Sequence, residues 1–238
     1  MVFKSYTARL IQRIPRTTTI ESFRFLTQEK IDFISGQFLK LIFDRDDINN
    51  KDLNKYLSFS SSPLNNYIEV TKRLSTSNFS EKLKNLKLED KVLIEGAFGN
   101  CIFKEEYKKI AFLIGGIGIT PVISIIEYII GKRLDIDVLL FYSNRTEEEI
   151  AFRQELDAWS RSNNNLKVVY TLTDYQPKDK RCIFGRIDKK LLLEYMKDLE
   201  ERILFIFGPP KMVEAMAQLS KEIGAKSENV RTESFVGY

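Results

Sequence analysis

Gly115, Gly116 and Gly118 stand between a continuous apolar run, Ile110 to Ile114, and a segment in which Val122, Ile125, Ile126 and Ile129 recur at helical spacing. A buried strand that empties through glycines straight into a helix is a seat for a diphosphate. Without Cβ atoms the turn lets phosphate approach the main chain, and the helix N-terminus offers unpaired N–H groups. Thr120 is expected to cap that helix and Pro121 to take its first position. The spacing is not that of G-x-G-x-x-G, whose third glycine, counted from Gly116, would fall at Pro121. Glycines kept for packing alone are the plain alternative.

Other chemistries are excluded by what the chain lacks. Among 238 residues there is no histidine, so histidine triads and histidine-bound metals are ruled out. Two cysteines, Cys101 and Cys182, cannot supply the four thiolates of an iron–sulfur centre. No metal site is expected, and a redox or group-transfer reaction would have to come from a bound organic cofactor. The start of the chain has no signal-peptide core, and no apolar run reaches the roughly 20 residues that span a bilayer. A soluble, cytoplasmic protein is expected, with neither an integral membrane segment nor a nucleic-acid partner.

The elements that must position the glycine turn divide in two. A hydrophobic content of 43% over 238 residues is enough for two cores. Residues 1–103 read as short strands: Ser5 to Ile14, Thr17 to Thr27, Gln37 to Asp44, Lys55 to Ser60, Tyr67 to Leu74 and Lys91 to Glu95, separated by turn-rich segments such as 60–66. That spacing predicts a small antiparallel barrel or sandwich. One helix interrupts it, Asn78 to Leu86, with Phe79, Leu83 and Leu86 on one face. Its N-terminus is a second candidate diphosphate seat.

After a short charged link at 104–108, residues 104–238 alternate strand and helix. Strands are expected at Ile110 to Ile114, Asp135 to Tyr142, Leu166 to Leu172, Ile203 to Phe207 and Asn229 to Val236. Thr146 with Glu149 reads as a capping box for a helix carrying Ile150, Phe152, Leu156 and Trp159. Asp188 is placed to cap a helix running to Leu199, and Gly224 to close one over Lys211 to Ile223. This predicts a doubly wound α/β domain with ligands at the carboxyl ends of its strands. Charge is uneven: residues 1–103 hold 16 Lys and Arg against 12 Asp and Glu, while 104–238 balance at 21 each. The excess suits either a plain solvated surface or a docking face for an acidic partner.

The motif Gly115-Gly116-Ile117-Gly118-Ile119-Thr120-Pro121 resembles the G-G-x-G-I-T-P of the ferredoxin-NADP reductase family of flavoprotein reductases, and further motifs follow in the family's order. Gly36-Gln37-Phe38 resembles its Gly-Gln-Phe turn, Lys55-Tyr56-Leu57-Ser58 with Ser61-Ser62-Pro63 its Arg-x-Tyr-Ser and Ser-Ser-Pro, Ser77-Asn78-Phe79-Ser80 its Gly-x-x-Ser helix start, and Gly96-Ala97-Phe98-Gly99 its Gly-Pro-Phe-Gly. Phe207-Gly208-Pro209-Pro210-Lys211-Met212 resembles its Cys-Gly-Pro-Pro-x-Met, and Glu233-Ser234-Phe235 its Glu-x-Phe ending.

The resemblance implies an N-terminal FAD-binding antiparallel β-barrel and a C-terminal NAD(P)-binding α/β domain. Lys55 would meet the FAD phosphates, Ser58 would lie beside flavin N5 as the catalytic hydroxyl, and Ser77 to Ser80 would hold the pyrophosphate. Gly208, Pro209, Pro210 and Met212 would border the nicotinamide, and Ser143, Asn144 and Arg145 the adenosine ribose. The chain departs from the pattern at Lys55 for arginine, Leu57 for the ring that stacks on flavin, Ser77 for glycine, Ala97 for proline and Phe207 for cysteine. Tyr56 is a possible substitute ring, although side chains alternate along a strand. Phe235 and the terminal Tyr238 are candidates to cover the flavin.

No carboxylate occupies 143–145, and Arg145 and Arg153 could meet a 2′-phosphate, so NADPH is slightly preferred to NADH. The implied activity is hydride transfer from NAD(P)H to FAD, then electron transfer to an acidic carrier such as ferredoxin or flavodoxin. The alternatives are an electron-transfer component of a larger enzyme and an NAD(P)H-dependent reductase of free flavin.

Overall fold

The computed structural model describes residues 4–235. Cα packing separates two compact units, Met1–Phe103 with Thr120–Gly131, and Lys104–Ile119 with Lys132–Tyr238.

The first unit is built on six antiparallel strands, β1 (Ser5–Pro15), β2 (Ile20–Thr27), β3 (Phe38–Ile42), β4 (Asn54–Ser58), β5 (Ile68–Arg73) and β6 (Lys91–Phe98). They lie in the order β4-β3-β6-β1-β2-β5. The outer strands are joined where Phe59 bridges Val70 and Ser60 N donates to the Glu69 carbonyl at 2.8 Å. The sheet therefore curls into the expected barrel, which leaves little free edge. Alternate residues fill it: Leu10, Phe23, Phe25, Leu39, Leu41, Phe59, Val70 and Ile94 are fully buried, and helix α1 (Asn78–Asn85) adds Phe79 and Leu83.

Helix α2 (Ile119–Gly131) follows the glycine turn in sequence, and its residues 120–131 pack with this first unit. Ser35 donates to the Ser124 carbonyl at 3.1 Å, and Ser124 donates to Ser35 Oγ at 3.1 Å, both buried.

The second unit holds a parallel sheet of β7 (Lys109–Gly115), β8 (Asp137–Asn144), β9 (Leu166–Leu172), β10 (Cys182–Phe184), β11 (Ile203–Gly208) and β12 (Val230–Ser234), in the order β10-β9-β8-β7-β11-β12. The chain steps outward from β7 on one side and returns to β11 on the other, so the strand order reverses between those two. Helices α4 (Lys189–Tyr195) and α5 (Pro210–Glu222) share one core with Leu113, Leu139, Phe141 and Val169. The neighbouring Tyr170, which points to the opposite face, donates to Asp157 on α3 (Arg153–Ser162) at 2.8 Å. Helices on both faces make this the doubly wound domain that the alternation predicts. Among the described residues no helix is long and apolar enough to cross a membrane.

Several local expectations are corrected. Gly116–Gly118 already forms a 3-10 turn that runs on into α2, so Thr120 lies inside the helix and is not its cap. The Thr146 capping box does not form. Glu147–Glu149 makes an isolated 3-10 turn without a side-chain cap, Phe152 turns left-handed (φ 59°), and α3 begins only at Arg153. The Glu147 carboxylate is used elsewhere, accepting from Lys178 N at 2.6 Å and Asp179 N at 3.1 Å. Asp188 does cap α4, accepting from Leu191 N, but that helix ends at Tyr195 rather than Leu199. The short edge strand β10 has no counterpart among the strands read from the sequence.

Candidate functional site

At the strand-order reversal the carboxyl ends of β7 and β11 press together. A Cβ on Gly115 would collide with Met212 Sδ and lie 3.3 Å from Pro209 Cδ, and one on Gly118 would fall 2.5 Å from the Phe207 carbonyl oxygen. Gly208 is less tightly placed, 3.2 Å from Gly115 N by the same measure. Gly115, Gly118, Gly208, Pro209 and Met212 are thus brought to one place, and for Gly115 and Gly118 the missing Cβ is required by neighbouring protein atoms. Gly116 differs: it has φ 52° and nothing within 4 Å of its Cβ position. Of the three turn glycines, Gly116 borders open space that a phosphate could enter. Pro210 opens α5 at a position where proline's missing N–H costs nothing.

Ser143 pairs in register with Gly115 at the end of β8, so the 143–145 segment adjoins the glycine turn. Asn144 is only 5% exposed, yet neither its amide oxygen nor its nitrogen has a hydrogen-bond partner among the described residues, and the same is true of the buried Thr171 hydroxyl on β9. Such groups are costly to leave unsatisfied. Arg145 is exposed, with no side-chain partner among the described residues. Arg153 is not available as a phosphate ligand. Its guanidinium is 2.5 Å from Asp179, 3.9 Å from Glu147 and 4.0 Å from Asp157, and lies over the Tyr170 ring at 5.2 Å.

In the barrel, β4 carries Lys55, Tyr56, Leu57 and Ser58. Leu57 packs against the barrel core, whereas Tyr56 is 61% exposed and meets Phe38 and Phe98 edge-on at 5.6 and 5.8 Å. Tyr56 therefore lies on the face opposite Lys55 and Leu57. Ser58 is 5% exposed, and its hydroxyl makes no side-chain hydrogen bond among the described residues.

Lys72 of β5 was missed in the sequence. It is 8% exposed, and burial, together with the Lys55 ammonium, pushes its amine below the usual lysine range. The signal was available: Ile68, Val70 and Lys72 share one phase of the strand, and the first two face the core.

The α1 N-terminus is held by its own serines. Ser77 is the N-cap and accepts from Ser80 N at 3.3 Å, Ser75 and Ser77 hydroxyls are 3.1 Å apart, and Asn78 donates to Asp52 at 2.6 Å. Phe79 points into the core, 5.3 Å from Phe43, so only its main chain could face a ligand. At the end of β12, Phe235 N donates to the Gly208 carbonyl at 3.0 Å, and its ring meets Phe207 edge-on at 6.4 Å. Glu233, in register with Phe207, is half-buried, and burial alone pushes its carboxyl up. Tyr238 lies outside the described residues.

These observations fit a dinucleotide at each site. The second unit offers an open glycine position beside partnerless buried Asn144 and Thr171. The barrel offers the nearly buried Lys72, whose amine feels the Lys55 ammonium, and at the end of β4 the buried Ser58. Among the described residues no cluster of side chains is suited to a metal ion.

The model of the oxidoreductase NAD-binding domain matches residues 112–218. The chain is 30% identical over 169 residues to a component of the Na(+)-translocating NADH-quinone reductase of Pseudoalteromonas atlantica, covering 69% of this chain and 41% of that protein. It thus spans about two fifths of the length of the quinone-reductase proteins it matches. It is 25% identical over 229 residues to NADH-cytochrome b5 reductase 1 of Mortierella alpina, covering 93% of this chain and 76% of that protein. A ferredoxin NADP+ reductase from Neisseria gonorrhoeae, solved with bound FAD and NADP, superposes with a TM-score of 0.82 at 22% identity over 97% of this chain and 98% of that one. The cytochrome b5 reductase domain of Ulva prolifera nitrate reductase gives 0.82 at 21%, over 97% of each. The structural likenesses establish the two-domain fold.

Proposed function

We propose that the chain is a member of the ferredoxin-NADP reductase family of flavoprotein reductases, that it oxidises NAD(P)H at a bound FAD and that it passes the electrons to a small acidic carrier, a reading supported by the matched NAD-binding domain and the shared two-domain fold. FAD would supply the hydride-accepting N5 and the ability to give up electrons singly or in pairs. The protein's part is placement and electrostatics.

In this reading Lys55 and Lys72 neutralise the FAD diphosphate. What supports it is the burial of Lys72 on β5: desolvation first, and the Lys55 ammonium second, push its amine down, and a bound phosphate would offset both. Ammonium groups grip phosphate as point charges, so the pair takes over from the planar fork that arginine would present. Ser58 offers its free hydroxyl at the flavin edge. Main-chain N–H groups at 116–118 receive the NAD(P)H diphosphate beside Gly116, and Asn144 meets the adenosine ribose. Met212, Pro209 and Gly208 wall the nicotinamide side. Arg145 favours NADPH through its exposed guanidinium, with no carboxylate in 143–145 to hold a free 2′-hydroxyl.

The net positive charge of residues 1–103 supports an acidic carrier such as ferredoxin or flavodoxin. A second reading, an electron-transfer component of a larger assembly, is favoured by the likeness to the Na(+)-translocating NADH-quinone reductase protein. The purified chain, supplied with FAD and either nucleotide, should reduce ferricyanide without a partner. FAD uptake without turnover would contradict the stand-alone enzyme and leave the larger-assembly reading.

A further inference from the structure

Between Ser58 and the start of β5 the chain crosses the outer face of the barrel, and a buried polar network lies there. Glu69 and Thr71 alternate with core-facing Ile68 and Val70, so they point away from the barrel interior, yet Glu69 is only 2% exposed. Its carboxylate accepts from Arg24 Nε at 2.7 Å, from Arg16 Nη2 at 3.1 and 3.3 Å and from Ser60 Oγ at 3.2 Å. Ser60 Oγ lies 2.7 Å from Thr71 Oγ1, which is 2.6 Å from Ser22 Oγ, and Arg16 Nε donates to Ser22 Oγ at 2.8 Å. The main chain follows the same path, with Ser60 N on the Glu69 carbonyl and Glu69 N donating to Ser61 Oγ at 2.9 Å.

A buried carboxylate shared by two arginines is a poor source of stability, because desolvation offsets its attraction, but its geometry is fixed. We propose that Ser60, held by Glu69 and Thr71, is a positioning residue that sets where the Ser58 hydroxyl stands. Ser58 closes β4. It is tied to β3 opposite Phe38, and the next residue bridges Val70, so the placement of Ser60 two residues on constrains where the end of β4 lies. This rests on the reading above that Ser58 borders the flavin. Reduction moves one hydride from nicotinamide C4 to flavin N5, leaving NAD(P)+ and reduced flavin, a transfer sensitive to small misplacements.

The test is a double-mutant cycle on the FAD-loaded chain, reading the anaerobic rate of flavin bleaching at saturating NAD(P)H. Ser60→Ala is expected to keep one FAD per chain and an unchanged KM for nucleotide, while bleaching slows about tenfold. Ser58→Ala/Ser60→Ala should be no slower than Ser58→Ala alone, because a lost position does not matter once the positioned group is gone. Thr71→Val, which removes only one partner of the Ser60 hydroxyl, should give a smaller loss of the same kind and serves if Ser60→Ala folds poorly. Wild-type bleaching rates in Ser60→Ala and Thr71→Val, or losses that multiply in the double variant, would overturn the proposal. A wild-type chain that takes up no FAD, or whose flavin neither nucleotide bleaches, would instead overturn the functional reading beneath it.

Discussion

The carboxylate of Glu127, on helix α2, accepts the Ser62 main-chain amide at 2.6 Å and the Asn65 side-chain amide at 3.1 Å. The 60–66 loop is therefore held at both ends, by Glu69 at Ser60 and by Glu127 at Ser62 and Asn65. Glu127→Gln keeps the shape but loses charge-assisted acceptance, which should cost about 1–2 kcal/mol. Thermal unfolding should shift down by a few degrees, and trypsin or hydrogen exchange should find the loop loosened. An unchanged exchange rate at Leu64 and Asn65 would remove the clamp.

Gly116 and Gly118 should separate binding from folding. Gly118→Ala drives a methyl group into the Phe207 carbonyl, 2.5 Å away, and should destabilise by about 1–3 kcal/mol. Gly116→Ala meets no atom and costs only about 1–2 kcal/mol of left-handed backbone strain. Its main effect should be a KM for nucleotide raised about tenfold or more. Equal melting losses and equal KM values for the two variants would contradict this division.

Arg145 and Arg153 should part in the same way. Arg145→Ala is expected to raise the KM for NADPH about tenfold, with little change for NADH or in melting temperature. Arg153→Ala strips Asp179 and Glu147 of a half-buried partner and should cost about 1–3 kcal/mol whichever nucleotide is used. A nucleotide-selective effect of Arg153→Ala would reverse the assignment.

The buried lysine gives a pH dependence whose sign can be worked out. The folded pKa of Lys72 lies below the ordinary 10.5, so between the two values the unfolded chain binds more protons. Stability of the FAD-free protein should therefore gain from Lys72 as pH rises through that window. FAD, which favours the ammonium form, should bind more weakly over the same range. Lys72→Met should remove that pH dependence and weaken FAD binding about tenfold or more. Denaturation at stepped pH and flavin-fluorescence titration measure both, and a Lys72→Met variant with unchanged pH dependence and unchanged FAD affinity would contradict the role.

Much of the fold was legible because its signals are local. Continuous apolar runs marked β7, β8 and β11, and alternation with turn residues marked the barrel strands. What escaped depends on partners distant in sequence. Thr146 makes no side-chain cap on the short turn that follows it, Glu147 binds the main chain of 178–179, and α3 begins only at Arg153, which is paired with Asp179. Edge strand β10 has three residues, too few to show a period. In the candidate site the glycine turn and the Gly208-Pro209 turn were readable as motifs, but not that Met212 and Phe207 account for two of the three turn glycines. Lys72 stood in a core-facing phase and could have been found. Glu69 could not, because its partners Arg16, Arg24 and Ser60 come together only when the barrel closes.

The central claim is that a flavin in the barrel takes hydride from a nicotinamide nucleotide. The direct measurement is an anaerobic titration of the FAD-loaded chain with NADPH or NADH deuterated at C4. The account predicts one FAD per chain, complete bleaching of its visible absorbance by one equivalent of nucleotide, and a primary isotope effect on that rate. A chain that binds FAD but keeps its colour under excess of both nucleotides, or that binds no FAD at all, would contradict it.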